Sequence, residues 1–246
     1  MSYSVQLYTV REALERDLPG TIRRLADIGF TMVEPYRFVA KAAELKEALS
    51  ENNLRAPSGH APLLSEDQDE IFAAALELGI GTVIDPHVPA GRWTTLEDIK
   101  DTAQQLNAAA AKAAGYGLRV GYHNHWWEVE SVIDGKTALE HLADNLDPAV
   151  VLELDTYWAA VGGQNPTELL AKLGHRVKFI HIKDGPLTPD PANQVAVGDG
   201  RMAIWDVIGA ATSLEAGVIE LDAFQGDMFE AVQDSFNYLA SGTVSA

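Results

Sequence analysis

The run from Pro166 to Asp184, P-T-E-L-L-A-K-L-G-H-R-V-K-F-I-H-I-K-D, changes its period halfway along. Leu169, Leu170 and Leu173 recur at helical spacing, Gly174 stands where a helix C-terminus calls for glycine, and Val177 to Ile182 is a short apolar run of strand length. It finishes on the polar residues of His181-Ile182-Lys183-Asp184. One helix thus delivers one buried strand whose end carries chemistry.

The same unit recurs on both sides. Strands are expected at Ser4 to Tyr8, Thr31 to Tyr36, Arg55 to Gly59, Thr82 to Asp85, Arg119 to Asn124, Val150 to Asp155, Val177 to Ile182 and Val218 to Asp222. Between them run helical stripes: Ile22, Leu25 and Ile28; Leu45 and Leu49; Phe72 and Leu76; Leu96, Ile99, Ala103 and Leu106; Ile204 and Ile208; Phe229, Val232, Phe236 and Leu239. Glycines at Gly29, Gly79, Gly117, Gly174 and Gly217 are read as helix ends. Strict alternation predicts a parallel sheet, and eight units in 246 residues predict an α/β fold, a (β/α)8 TIM barrel in a single domain spanning residues 1–246. A doubly wound open sheet is the alternative, but no G-x-G-x-x-G or G-x-x-x-x-G-K follows an early strand.

Composition narrows the function. The 18 Lys and Arg against 36 Asp and Glu give a net charge of −18, which opposes binding to nucleic acid or anionic lipid. No apolar stretch reaches the length of a membrane span, and Met1 to Gln6 lacks the basic and apolar segments of a secretory signal, so a cytoplasmic protein is expected. With no cysteine, any metal must be held by His, Asp, Glu or water.

In a barrel the chemistry sits at the C-terminal ends of the strands. Those ends carry Gln6 and Tyr8, Glu34 and Tyr36, His60, Asp85 and His87, then Tyr122-His123-Asn124-His125, Glu153-Leu154-Asp155, His181-Ile182-Lys183-Asp184 and Glu220-Leu221-Asp222. Alternation puts His123 and His125 on one face, as it does Glu153 and Asp155, His181 and Lys183, and Glu220 and Asp222. His123, Asp155, His181 and Glu220 lie about one strand-helix repeat apart and would converge. Two imidazoles and two carboxylates suit one divalent ion, with manganese favoured and cobalt, zinc or magnesium as alternatives. His125 competes with His123 as a ligand. Each residue alone has a plainer reading as a cap or a satisfied core group, and the weight rests on four in register.

These residues also carry a family likeness. V-Q-L-Y-T-V-R-E at 5–12, G-Y-H-N-H-W-W-E at 121–128, L-E-L-D-T-Y-W at 152–158, I-H-I-K-D-G at 180–185, V-G-D-G-R at 197–201 and I-E-L-D at 219–222 resemble, in order, the xylose isomerase-like superfamily, in its sugar phosphate isomerase/epimerase branch. The resemblance implies a TIM barrel with one divalent ion held by a Glu, Asp, His, Glu set. Asp155, His181 and Glu220 match the last three, and the first falls at Tyr122 or His123, of which only His123 is a ligand.

That departure bears on mechanism. Keto-sugar epimerases of the family use both glutamates as acid and base, and this chain keeps Glu220 alone. The expected activity is a divalent-metal-dependent isomerase or epimerase of a sugar or sugar derivative, working through an enediolate. The alternative is a metal-dependent lyase, a dehydratase or β-eliminase of a keto-sugar, inosose or keto-glycoside. Glu220, Lys183, His125 and His60 are the candidate catalytic groups, and Gln6, Glu34, Trp127, Trp158 and Arg201 the candidate substrate contacts, the tryptophans as stacking faces. Asn124 and Glu128 are expected to orient the imidazoles. No basic cluster marks a phosphate site, and aromatics on the barrel rim are compatible with a homodimer.

Overall fold

In the computed structural model, which describes residues 3–242, the β-branched and apolar runs form eight parallel strands: β1 Tyr3–Gln6, β2 Val33–Glu34, β3 Ser58–His60, β4 Thr82–Asp85, β5 Arg119–His123, β6 Val151–Asp155, β7 Val177–Ile182 and β8 Ala216–Ile219. Their order is β2-β1-β8-β7-β6-β5-β4-β3. The two outer members meet through the parallel bridges Met32–Arg55 and Tyr36–His60, which brings the sheet nearly to closure as a single TIM barrel. This seam is thin for a sequence reason: Pro35 and Pro57 have no N–H to give a ladder. It is held by single bonds such as Val33 N to Arg55 O at 3.0 Å and His60 N to Pro35 O at 2.8 Å.

Period two sorts the strand side chains into two cores. Outward residues such as Val5, Val33, Val83, Val120, Leu152, Leu154, Ile180, Ile182 and Ile219 pack beneath the helices with Ile22, Leu25, Ile99 and Leu106. Full burial of such a side chain is worth about 1.5–3 kcal/mol. Inward residues at the N-terminal end, Met32, Ile84, Val151, Phe179 and Ala216, form a separate apolar plug inside the barrel. Continuing two residues along the same strands replaces apolar by polar: Met32 leads to Glu34, Val151 to Glu153 and Asp155, Phe179 to His181. The plug is the floor on which the charged residues stand.

Several expected bounds shift. The first strand stops at Gln6, where its side-chain oxygen accepts from Tyr8 N at 3.1 Å and turns Leu7–Val10 into a 3-10 turn. The third strand lies at Ser58–His60, later than Arg55 to Gly59. The last begins at Ala216, so Gly217 belongs to the strand and closes no helix. A Cβ there would stand 2.8 Å from Ile182 Cδ1, so the glycine serves close packing. A helix at Ala138–Asn145 has no counterpart among the expected stripes; it is announced by T-A-L-E at 137–140, a capping box that the structure forms. Among the described residues no helix is long and apolar enough to cross a membrane.

Candidate metal centre

Strands β5, β6 and β7 present His123, Asp155 and His181 inward, and Glu220 follows directly after β8. One ligand atom from each of the four lies within 4.8 Å of the others, and all four residues are buried. His123 Nε2 is 3.9 Å from Asp155 Oδ2, and His181 Nδ1 is 4.0 Å from that oxygen and 2.7 Å from Glu220 Oε2. Asp155 is fixed from both sides: its Oδ1 caps the following helix by accepting from Trp158 N at 2.8 Å, and its own N–H donates to Asn124 Oδ1 at 3.0 Å. Its Oδ2 is fully enclosed and accepts no properly directed hydrogen bond, although Lys183 Nζ stands 2.9 Å away. A buried carboxylate oxygen without such a partner, facing two imidazoles and a second carboxylate, is a donor set that could hold a divalent ion.

Lys183, two residues beyond His181 on the same inward face, is the counter-charge. Its Nζ lies 2.9 Å from Asp155 Oδ2, 2.7 Å from Glu220 Oε2 and 2.7 Å from Asp222 Oδ2. Burial disfavours the ammonium, yet Asp155, Asp222 and Glu220 hold its pKa well above the usual value. Burial likewise opposes ionisation of Glu220, and Lys183 and His181 override it and keep that carboxyl well below its ordinary range. For Asp155 burial wins over Lys183 and pushes the carboxyl up to about 6.

One layer down, Glu153 Oε2 gathers three imidazoles: His60 Nε2 at 2.6 Å, His123 Nδ1 at 3.1 Å and His181 Nε2 at 3.1 Å. Glu34 Oε1 accepts from Gln6 Nε2 at 2.9 Å and meets His181 Nε2 at 3.0 Å and His60 Nε2 at 3.2 Å, while its Oε2 accepts from the Ser58 hydroxyl. Against the cost of burial, Glu34 and Glu153 raise His60 to about 10 and, with Glu220, Glu153 raises His181 well above the ordinary histidine value. His123 goes the other way, lowered by burial and by the charge on His181.

Above the cluster opens a cavity of about 400 Å³ whose wall includes Tyr8, Tyr36, Arg37, His60, His87, His123, His125, Glu220 and Asp222. Of the sequence-derived candidates, His60, His123, His125 and Glu220 reach it. His125 stacks on Trp127, with centroids 4.3 Å apart, and its Nδ1 has no hydrogen-bond partner. Burial, with Lys183 and His87 nearby, lowers its pKa to about 3, so the ring is neutral.

Other candidates are placed elsewhere. Gln6 and Glu34 are fully buried below the cavity and bond to each other, and neither lines its wall. Trp158 is 3% exposed and packs against Trp126 and Tyr157, so it offers no open face for stacking. Trp127 presents its ring to His125 and His87, outside the cavity wall. Arg201 is exposed and also outside that wall. Its loop is organised by Asp184, whose carboxylate accepts from the N–H groups of Gly185, Gly198, Gly200 and Met202 at 2.8–3.1 Å. Asn124 and Glu128 make no hydrogen bond to the imidazole nitrogens, Glu128 Oε1 standing 4.0 Å from His125 Nδ1. Glu128 accepts from Tyr122 OH at 2.7 Å and from His125 N at 2.9 Å, and thereby sets the main chain of the cavity histidine.

Strand-end reading places Glu153 and Asp222 beside the ligands without giving them a role, and misses Gln194. The last is a buried loop residue that clamps Asp222, donating from Nε2 to its Oδ2 at 2.8 Å and accepting its N–H at 2.7 Å. For Glu153 the signal was present: it is the charged residue two before Asp155 in an otherwise apolar strand.

A nearly closed eightfold barrel with ionisable residues gathered at the C-terminal ends of its strands defines an enzyme-type TIM barrel. Residues 22–241 match the family described as xylose isomerase-like TIM barrel, and the chain belongs to that family. The structure of a sugar phosphate isomerase/epimerase from Parabacteroides distasonis ATCC 8503 superposes with a TM-score of 0.83 at 25% identity, covering 100% of this chain and 95% of its own. A xylose isomerase-like protein from Mycobacterium smegmatis in complex with magnesium shares the fold, with a TM-score of 0.69 at 15% identity over 90% of this chain and 86% of its own. Inosose dehydratase from Geobacillus kaustophilus (strain HTA426) is 29% identical over 119 residues, 46% of this chain and 37% of that protein. The chain thus matches only about a third of the length of its curated relatives, 27% and 37% for two of them.

Proposed function

We propose that the protein moves a proton next to the carbonyl of a sugar or sugar derivative, as a divalent-metal-dependent isomerase or epimerase. The observation that carries this reading is the convergence of His123, Asp155, His181 and Glu220 within 4.8 Å at a cavity large enough for a sugar. These four residues would hold the ion, manganese by preference, with zinc, cobalt and magnesium also suited to the donors. When bound, the ion supplies polarisation of the carbonyl and stabilises the negative charge that builds on its oxygen.

The chain's own groups supply the rest. His125 and Glu220 border the cavity from strand ends separated by two others around the barrel, and are the two acceptors placed to take and return a carbon-bound proton. His60, held as an imidazolium, offers a hydrogen bond rather than a base. Lys183 is absent from the cavity wall and keeps Glu220 ionised and oriented.

A second reading, the lyase, is favoured by one observation. Glu220 is committed to Lys183 and His181, which leaves His125 as the acceptor without an internal partner. One-sided chemistry then removes the proton, shifts that electron pair into a C=C bond and breaks the β C–O bond, the leaving oxygen departing with a proton. The segmental likeness to inosose dehydratase runs the same way.

The deciding experiment is proton NMR in deuterated water with a panel of keto-sugars, inososes and keto-glycosides, on protein of measured metal content. Deuterium at the carbon beside the carbonyl with an isomeric product supports the first reading. An unsaturated product supports the second, and no exchange with any of them, on protein holding about one equivalent of ion, refutes both.

A further inference from the structure

Glu153 is buried and one layer below the four proposed ligands, and its Oε2 touches an imidazole nitrogen of both His123 and His181. The two rings approach it with different atoms, His123 with Nδ1 and His181 with Nε2. Their other nitrogens, Nε2 of His123 and Nδ1 of His181, face Asp155 Oδ2, and His181 Nδ1 also meets Glu220 Oε2 at 2.7 Å. A carboxylate oxygen only accepts, so each ring nitrogen touching Glu153 carries a hydrogen; His181 Nδ1 carries a second while it meets Glu220, and an ion taking that position would displace it, so that each neutral ring offers its lone pair at the atom opposite Glu153.

Building on the proposed metal reading, we infer that Glu153 is a positioning residue that fixes opposite tautomers in the two ligand histidines, Nδ1–H in His123 and Nε2–H in His181. One oxygen thereby turns both lone pairs toward the same point. Glu34 reinforces the second ring, 3.0 Å from His181 Nε2, and is itself anchored by Gln6 and Ser58. The arrangement also accounts for a histidine in the first ligand position. An imidazole presented at strand β5 has two donor atoms to choose between, and Glu153 on the neighbouring strand β6, at the residue paired with His123, makes the choice.

The test uses the full chain with zinc as the probe. Long-range 1H–15N correlation spectra of the zinc-loaded wild type are expected to show His123 as the Nδ1–H form and His181 as the Nε2–H form. Glu153→Gln and Glu153→Leu are expected to weaken zinc binding about 10- to 100-fold in a chelator competition, with Leu the larger loss. A purely structural role would lower the melting temperature without changing tautomers or zinc affinity. Wild type that shows His123 as Nε2–H overturns the inference, as does folded Glu153→Gln with wild-type affinity. Should Glu153→Leu fail to fold, the wild-type tautomers and Glu153→Gln decide. Wild type that takes up no zinc, manganese or magnesium instead defeats the metal reading itself.

Discussion

Lys183→Met separates the electrostatics of the centre from its chemistry. The ammonium stands 2.7–2.9 Å from carboxylate oxygens of Asp155, Glu220 and Asp222, and the residue is 1% exposed. Methionine retains most of the apolar stem and removes the charge, leaving three crowded carboxylates. Breaking a buried ion network from one side costs about 3–5 kcal/mol. Unfolding entropy near 2 cal/mol/K per residue gives roughly 0.5 kcal/mol/K for a chain of this length, so the metal-free variant is expected to melt about 6–10 °C lower. A divalent ion at about 100 times its Kd returns about 2.7 kcal/mol, or roughly 5 °C. Its affinity should be higher in the variant, because the ion no longer competes with an ammonium for Asp155 and Glu220. The assay is thermal unfolding by circular dichroism in EDTA and again across a manganese titration. A variant within about 2 °C of wild type in EDTA would show that Lys183 does not hold these carboxylates. A lower melting point together with weaker manganese binding would refute the competition argument.

Glu128 is fully buried, and burial raises its carboxyl to about 8 from the ordinary 4.5. Its contribution to stability is therefore present below pH 4.5 and lost as pH rises through 8, on the order of 5 kcal/mol in all. Glu128→Gln, which stays neutral, should flatten that part of the decline, and urea unfolding at pH 5 and pH 9 compares the two slopes; equal slopes would contradict the assignment. Asp184→Ala removes the shared acceptor of four backbone N–H groups, so the segment 185–202 should become the first site of limited proteolysis, with a loss of about 3–5 kcal/mol. An unchanged digestion pattern would show that the loop is held by other contacts. His125→Phe should keep the metal content and the melting temperature while reducing solvent deuterium exchange into substrate about 10²- to 10⁴-fold; undiminished exchange would transfer the base role to Glu220.

The fold was legible because the alternation is almost uninterrupted, and strands β4 and β7 fall at the expected residues, Thr82–Asp85 and Val177–Ile182. Of the bounds that moved, those at Gln6 and around Pro57 did so where a side chain or a proline intervened. The four proposed ligands were readable for the same reason: equivalent positions on parallel strands of one barrel must converge. What lies between strands was not readable in that way. Trp158 follows a ligand strand and looks like a rim aromatic, but the helix capped by Asp155 turns it into the wall against Trp126. Gln194 sits far along a loop, and only that loop's return toward the β8 end brings it to Asp222. Glu34 was read as facing substrate because it ends an inward strand face, but β2 is two residues long and leaves it at the level of Ser58 and His60.

The distribution of buried charge bears on which ion the proposed centre would select. Glu34 and Glu153 face the imidazolium of His60, and His181 adds a second cation only until an ion takes its Nδ1 and displaces that proton. Above them Asp155, Glu220 and Asp222 share a single ammonium, Lys183, leaving two negative charges in excess in a place shielded from water. A monovalent cation would leave one of these uncompensated. A divalent ion would balance Asp155 and Glu220 and leave Lys183 to Asp222, and the net charge of −18 on the whole chain adds a long-range attraction of the same sign. Local surplus and donor chemistry therefore point to the same ion class: two imidazoles disfavour calcium, and two carboxylates disfavour the softest metals.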